Sequence, residues 1–279
     1  MSGDAQGRSG GGATEGELGQ DKPHSARMYD YYLGGKTNYI VDREAAELVI
    51  AQFPSIPVVA RANRAFMHRS AHFLAAERGI RQFIDIGTGI PTTPNLHEVA
   101  QEAAPDSRVV YVDNDPIVMV YADELLDGTP EGATLYVEAD AKRPREILEA
   151  VADTRLLDLS RPVGLSLHAL LHFLPDSYDP NGLVRTLTDA LAPGSYLSLT
   201  HCTGDFDPES WEAIVDVYVS RGTPTQVRSR EEVLRFFDGL DLVDPGLVVA
   251  HRWRPEPGSG PSLVTDAQVS LYGGIALKA

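Results

Sequence analysis

The chain has 279 residues, which is enough for one large α/β domain or two small ones. Its formal net charge of −16 at pH 7 argues against a duplex or a bare RNA backbone as substrate, because the phosphates would be repelled. The one basic cluster is too small to reverse that repulsion, and it is equally typical of a solvated helix face; it comprises Arg61, Arg64, His68 and Arg69. We therefore predict no nucleic-acid partner.

Cys202 is the only cysteine, so an intrachain disulfide and a cysteine-based zinc site are excluded, and we predict no metal. Beside His201 it is either a nucleophile or a small buried hydrophobe, and the second is more common near a strand end. The sequence has no run of about 18 apolar residues, and its N-terminus lacks the apolar core of a signal peptide. We expect a cytoplasmic protein with no membrane partner.

The chain divides into a tail and one domain. Residues 1–22 are dominated by Gly, Ser, Asp, Glu and Gln, and such a segment cannot offset the entropy lost on ordering, so we predict a disordered tail. Residues 23–279 contain neither internal repeats nor an obvious linker, which favours a single domain. Within it, 23–79 would form an N-terminal arm with helices, and 80–279 would form the core.

The arm, residues 25–39, carries four tyrosines and the pair Gly34-Gly35. One interpretation is an aromatic segment docked over the domain surface. The other is a lid over a ligand, because paired glycines supply a hinge and tyrosine faces attract cations. The two interpretations are compatible, since a lid must also dock.

Two helices are expected after the arm, at 43–50 with Asp42 as the cap and at 58–77 with Gly79 following the last turn. From there, strand-like and helix-like segments alternate, which predicts a doubly wound, mostly parallel α/β sheet. The predicted strands are 82–86, 108–112, 134–138, 162–167, 195–200, 242–249 and 269–277. The predicted helices are 93–103, 116–126, one from 144, 180–191, 208–220 and one from 229, and 254–261 is predicted to be an irregular loop.

Candidate ligand-binding residues follow four consecutive predicted strands. In an open parallel sheet, ligands bind beyond the carboxyl ends of the strands, where the strand order reverses. Gly87 and Gly89 let the backbone turn tightly and bring N–H groups against a carboxylate or a phosphate. The candidates at the strand ends are Asp85, Gly87, Thr88, Gly89, Asp113, Asn114, Asp140, Ala141 and His168.

The two later acids each have a specific expected role. Asp113 ends the second strand, where an acid can accept both hydroxyls of a ribose. Asp140 and the neighbouring amide of Ala141 can hydrogen-bond an adenine edge. Both acids also lie near predicted helix starts, so each could instead be a helix cap. The alternative role of His168 is that of an ordinary hydrogen-bonded residue at a strand end.

Nicotinamide dinucleotides and S-adenosylmethionine both bind to sites of this plan, so the glycine loop alone does not separate them. The dinucleotide fingerprint requires Gly or Ala three residues after its second glycine, to let helix and strand pack around a pyrophosphate. Thr92 occupies that position here, and Pro91 precedes it. Asp85, two residues before the first glycine, suits an amino-acid moiety better than phosphates. These residues favour S-adenosylmethionine.

The segments 83–89, 112–116 and 139–141 resemble those of class I S-adenosylmethionine-dependent methyltransferases. A narrower resemblance, carried by 26–39, 62–66 and 272–276, is to an actinobacterial S-adenosyl methyltransferase family once catalogued as a domain of unknown function. The resemblance implies a seven-stranded sheet with its last strand antiparallel, and S-adenosylmethionine as the cofactor. It assigns no acceptor; we predict a small molecule and leave the oligomeric state open.

One departure from the class I pattern concerns Pro91, where many class I enzymes have a third glycine. Proline withholds an N–H, so the loop offers one donor fewer to the methionine carboxylate. We expect Thr88, and Arg27 from the arm, to supply that contact. Tyr29, Tyr31 and Tyr32 would line the acceptor side or shield the sulfonium, and we include Tyr32 among the cofactor-binding candidates.

If the acceptor needs a general base, His168 and His172 are the best-placed candidates, at the end of the fourth strand and one helical turn further on. Three functions remain open. The first is a methyltransferase acting on a small molecule, and the second is a protein that binds S-adenosylmethionine or S-adenosylhomocysteine without transferring the methyl group. The third is a nicotinamide-dependent oxidoreductase, against which Thr92 argues.

Overall fold

The computed structural model of the protein describes residues 21–121, 128–255 and 263–279. Nearly all of the predicted tail, the end of the predicted helix 116–126 and most of the predicted loop 254–261 therefore lie outside the described residues. The part that is described forms an α/β domain built around one mixed sheet.

The sheet confirms the predicted fold. Its order is β3-β2-β1-β4-β5-β8-β6, and β7 pairs with β8 beside this path. The strands β1 to β5 are parallel to one another, whereas β8 runs antiparallel to β5, β6 and β7. The strands are β1 (Gln82–Ile86), β2 (Arg108–Asp113), β3 (Ala133–Glu138), β4 (Gly164–Leu167), β5 (Tyr196–Cys202), β6 (Asp241–Leu242), β7 (Val248–Val249) and β8 (Leu271–Leu277).

The strand order reverses between β1 and β4. The chain moves outward from β1 through β2 to β3 and then returns to place β4 on the other side of β1. Crossover connections leave in opposite directions at such a point, which opens a crevice at the carboxyl ends of the strands. The residues that follow β1 and β4 face this crevice from both sides.

Helices cover the sheet, and two of them begin where a capping aspartate and a proline predict a start. Asp207 accepts a hydrogen bond from Ser210 N ahead of Pro208, and Asp179 does the same for Gly182 N ahead of Pro180. The helices are α1 (Ser25–Tyr32), α2 (Ile40–Gln52), α3 (Ile56–His72), α4 (Leu96–Ala103), α5 (Pro116–Val120), α6 (Pro144–Asp153), α7 (Pro180–Asp189), α8 (Pro208–Ser220), α9 (Arg230–Leu234) and α10 (Asp266–Val269).

A π-helical turn, Phe73–Glu77, extends α3 to the predicted end of that helix, and Gly79 follows with φ +70°. Among the described residues, no single helix is long and apolar enough to cross a membrane. The helices Ile40–Gln52 and Ile56–Glu77 are long and apolar enough only when they are taken together, and they are bent by 102° at the break between them.

Two local predictions are wrong. Asp42 does not cap α2, because the helix begins at Ile40, and Asp42 lies in its first turn, where its carboxylate accepts from Tyr39 N at 2.8 Å. The predicted strand 242–249 is interrupted and forms the short strands β6 and β7. Pro245 lacks an N–H for the ladder and Gly246 has φ +82°, so the chain turns between the two strands.

Candidate functional site

A cavity of about 590 Å³ lies at the carboxyl ends of the parallel strands. Its volume is in the range of pockets that enclose one or two small organic molecules. Every residue predicted to bind the cofactor or to act as a base lines this one cavity: Arg27, Tyr32, Asp85, Gly87, Thr88, Gly89, Asp113, Asn114, Asp140, Ala141, His168 and His172. The predicted positions therefore meet in space, while their roles stay predictions.

The glycine loop after β1 is shaped by two residues in the left-handed region, Gly87 with φ +75° and Gly89 with φ +66°. A Cβ on Gly87 would come within 2.7 Å of the Leu170 side chain, which follows β4. A Cβ on Gly89 would face Ala26 of the arm at 3.8 Å. The loop is thus enclosed by the loop after β4 on one side and by α1 on the other.

Asp113 holds the glycine loop to the end of β2. One carboxylate oxygen accepts from Gly89 N at 2.7 Å and the other from Asp115 N at 3.0 Å. The first turn of α5 is hydrogen-bonded by Asp115 and not by Asp113, because the Asp115 carboxylate accepts from Ile117 N at 3.0 Å. Burial raises the pKa of Asp113, although these N–H donors counteract the rise.

Asp85 is the acid at the end of β1, and it is 8% exposed. Burial raises the pKa of its carboxyl to about 7, against the opposing effects of the Arg64 guanidinium and of a hydrogen bond with Thr88. Arg64 projects from α3 and donates to the backbone oxygens of Thr92 and Pro94, which fixes the segment after the glycine loop. The cavity wall therefore holds a carboxyl group that titrates near neutral pH.

Asp140 and Ala141 follow β3, next to the exposed Asn114 after β2. Asp140 accepts from Lys142 N at 2.9 Å, a local turn contact, and helix α6 begins later, at Pro144 with Arg143 preceding it. Asp140 is therefore a turn residue at the cavity edge and not the residue that precedes α6.

The arm is docked over the cavity by buried polar contacts. Arg27 and Asp42 form an ion pair of 2.9 Å with exposed fractions of 2% and 0%. Arg27 also donates to Lys22 O at 2.6 Å and lies 3.9 Å from the Asp115 carboxylate, which is 2.9 Å from His24 Nδ1. The docked interpretation of the arm thus describes this structure, and its action as a lid stays a prediction.

A chain of hydrogen bonds joins the arm to the sheet beneath the cavity. Tyr29 donates to Ala60 O at 3.0 Å and accepts from the Asn63 amide at 2.8 Å. The Asn63 oxygen accepts from the Thr200 hydroxyl at 2.6 Å, and that hydroxyl accepts from Ala169 N at 2.8 Å. Ala169 has φ +51°, a conformation unusual for alanine, and the bond to Thr200 helps to hold it there.

His168 and His172 both line the cavity. His168 Nε2 lies 2.8 Å from the Ser198 hydroxyl, whereas the Nδ1 atoms of both histidines have no hydrogen-bond partner among the described residues. Burial, with a nearby arginine in each case, lowers the pKa of both rings to about 3. Both are neutral at neutral pH, and each is a weak base.

Three lining residues of α8, namely Trp211, Ile214 and Tyr218, are not among those predicted from the sequence. Their spacing at i, i+3 and i+7 marks one apolar helix face, which is also the pattern of a helix that simply packs on the core. Arg228 is also absent from the predicted residues; it donates to Leu171 O at 3.1 Å and Leu174 O at 2.9 Å and so fixes the turn that carries His172. An arginine in a loop gives no local signal of such a role.

The chain is similar to two solved structures over nearly its whole length. A DUF574 family protein from Streptomyces avermitilis superimposes with a TM-score of 0.91 at 46% identity, covering 94% of this chain and all (100%) of that one. A proposed methyltransferase from Thermobifida fusca superimposes with a TM-score of 0.86 at 37% identity, covering 93% of this chain and 97% of that one. Comparison with curated proteins gives no match.

A family model described as S-adenosyl methyltransferase matches residues 12–279. This match covers the arm, the glycine loop, the later strand ends and β8, which are the segments that carried the resemblance in the sequence. It also confirms S-adenosylmethionine as the cofactor to be expected at these strand ends. The chain belongs to the S-adenosyl methyltransferase family.

Proposed function

We propose that the protein transfers the methyl group of S-adenosylmethionine to a small molecule bound in the same cavity. The observation that carries this proposal is the continuity of the cavity. Its lining runs from the acids and glycines of the strand ends to the apolar face of α8. One continuous cavity therefore offers polar groups for a nucleoside amino acid at one end and an apolar chamber at the other.

The residues present fit the donor. Each oxygen of Asp113 accepts one backbone N–H, and since a carboxylate has about four lone-pair sites, it can still accept both hydroxyls of a ribose. Asp140 and Ala141 would face the adenine, and Asp85 the donor's amino group. Thr88 and Arg27 would hold the methionine carboxylate, with Arg27 kept in place by Asp42.

The chain's own contribution to transfer is geometric and electrostatic. When bound, the sulfonium supplies an activated methyl group. The docked arm excludes water, and the hydrogen-bonded wall around Asn63 and Thr200 holds both ligands in one orientation. Such positioning contributes about 7 to 11 kcal/mol in favourable cases. His168 and His172 remain the candidates to receive a proton, although a pKa of about 3 gives little driving force for that step.

Titration calorimetry with S-adenosylmethionine, S-adenosylhomocysteine and NAD⁺ tests the ligand class. We expect both adenosyl ligands to bind and NAD⁺ to give no heat, because Pro91 and Thr92 replace the residues that pack around a pyrophosphate. NAD⁺ binding without donor binding would overturn the assignment.

Incubation with methyl-labelled donor and a panel of acceptors then separates a transferase from a protein that only binds the donor.

The affinity for S-adenosylmethionine is expected to rise with pH up to about 7 and then level off. Below pH 7 the Asp85 carboxyl of the free protein carries a proton, and the positively charged donor favours the carboxylate, so binding releases that proton. The limiting slope is about tenfold per pH unit. Calorimetry between pH 5.5 and 7.5, in two buffers of different ionisation enthalpy, counts the released protons. Asp85→Asn is the control and should bind without this slope; an unchanged slope would exclude Asp85 as its source.

A further inference from the structure

The cavity has two chemically different ends. The donor end holds the carboxyl groups of Asp85, Asp113 and Asp140. The opposite end, called here the aromatic end, is formed by Tyr32, Phe173, Trp211, Ile214 and Tyr218. The Tyr218 and Phe173 rings lie 5.5 Å apart.

The charged groups of the described lining are not distributed evenly. The lining carboxyl groups lie in β1, at the end of β2 and after β3. The lining cations outside the aromatic end are Lys22, Arg27, Arg64 and Lys142. The segment that continues from α8, residues 221–225, adds one charged side chain, the exposed Arg221. A cation buried at the aromatic end would therefore lose its hydration without gaining a carboxylate from the described lining, and this loss is costly. An anion buried there would find only Arg221, which is exposed and therefore screened by water.

The aromatic end contains a pair of polar groups, the hydroxyls of Tyr32 and Tyr218. The Tyr32 and Tyr218 oxygens lie 3.2 Å apart, and both side chains are buried. Within such a pair one hydroxyl donates to the other, so one O–H hydrogen is left for a third group. Burial raises the pKa of both phenols, which keeps both hydrogens in place at neutral pH.

A second donor belongs to Trp211. Its indole Nε1 is buried and has no hydrogen-bond partner among the described residues. Indole can only donate, so it is satisfied by a group that accepts. The Trp211 N–H has almost no accessible surface, so the donor that this end offers a ligand is the spare hydroxyl hydrogen of the tyrosine pair, within walls made of aromatic and aliphatic side chains.

We propose that the methyl acceptor is an uncharged, mainly aromatic molecule whose oxygen accepts a hydrogen bond from the Tyr32–Tyr218 pair. This inference rests on the proposed function, because it assigns the second ligand of that reaction. A flat ring system fills the space between α8 and Phe173 with favourable ring contacts. The single spare hydroxyl hydrogen gives the ring its orientation.

The test uses four probes with one ring system: 2-naphthol, naphthalene, 2-naphthylmethylamine and 2-naphthoate. Calorimetry first measures S-adenosylhomocysteine alone, and the absence of binding at this step would count against the proposed function itself. Each probe is then titrated into protein saturated with S-adenosylhomocysteine. We expect 2-naphthol to bind at least tenfold more tightly than the ammonium and the carboxylate probes. Tighter binding of the ammonium or the carboxylate probe, or no binding of any probe, would overturn the proposal.

The double variant Tyr32→Phe/Tyr218→Phe tests the contact. It should weaken 2-naphthol binding about 2- to 12-fold, the range for one neutral hydrogen bond, and leave naphthalene binding unchanged. The double variant is needed because either hydroxyl alone can still donate. Tyr196→Phe, which removes a hydroxyl outside the cavity lining, is the matched control and should change neither affinity. Equal losses for both probes, or no loss for 2-naphthol, would contradict the assigned contact.

Discussion

Replacement of Asp42 by alanine is expected to lower the free energy of unfolding by about 3 to 5 kcal/mol, the range for removing one partner of a buried ion pair. The Arg27 guanidinium would stay buried without its nearest carboxylate, and the attraction to Asp115 at 3.9 Å cannot replace a contact of 2.9 Å. The variant also leaves His24 N and Tyr39 N without the carboxylate that accepts from both. Urea unfolding followed by the fluorescence of Trp211 and Trp253 measures the loss.

Glu44→Ala is the matched control for Asp42→Ala, since Glu44 lies on the exposed side of the same helix, α2. Its effect should stay within about 0.5 kcal/mol. The loss in Asp42→Ala should also change little between low and high salt, because a buried pair is weakly screened. A loss below about 1 kcal/mol would show that the arm is not held by this pair.

Asp113→Ala is expected to weaken S-adenosylmethionine binding about 10- to 150-fold. The estimate corresponds to one charge-assisted hydrogen bond of about 1.5 to 3 kcal/mol. The variant also takes away the acceptor of the Gly89 N–H, so the glycine loop loses its tie to β2. Calorimetry with the donor measures the affinity, and circular dichroism verifies that the variant is folded.

Two further variants serve as comparisons for Asp113→Ala. Asp113→Asn keeps the size and one acceptor oxygen but loses the charge, so it should fall between wild type and Asp113→Ala. Asp153→Ala removes an exposed acid at the end of α6 and should leave the affinity unchanged. If folded Asp113→Ala binds the donor as wild type does, Asp113 only shapes the loop.

The sequence predicted the elements whose residues carry their own signals. Strand β1 and helix α8 begin and end where expected, because a short apolar run before the glycine turn marks the first and an Asp-Pro start marks the second. The glycine loop was predicted from its two glycines and the acid before them. These signals are local, so one sequence suffices to read them.

The wrong or missing predictions depend on contacts between distant residues. Asp42 has the sequence context of a helix cap, and its pairing with Arg27 appears only once the arm folds back over the core. The apolar face of α8 has the spacing of a core helix, and only the position of Tyr218 against Tyr32 makes it a cavity wall. The interruption of 242–249 is the exception, because its signal is local: Pro245 and Gly246 break the strand pattern of the surrounding apolar residues.

The hydrogen-bond chain from Tyr29 through Asn63 and Thr200 to Ala169 has a thermodynamic consequence. It joins α1, α3, β5 and the loop after β4, segments that are remote in the sequence, and its four hydrogen bonds are formed before a ligand arrives. The conformational entropy of these walls is therefore lost during folding and not during binding. The cavity walls are therefore already ordered when a ligand binds. The shape of the acceptor should influence its affinity more than the acceptor's own flexibility does.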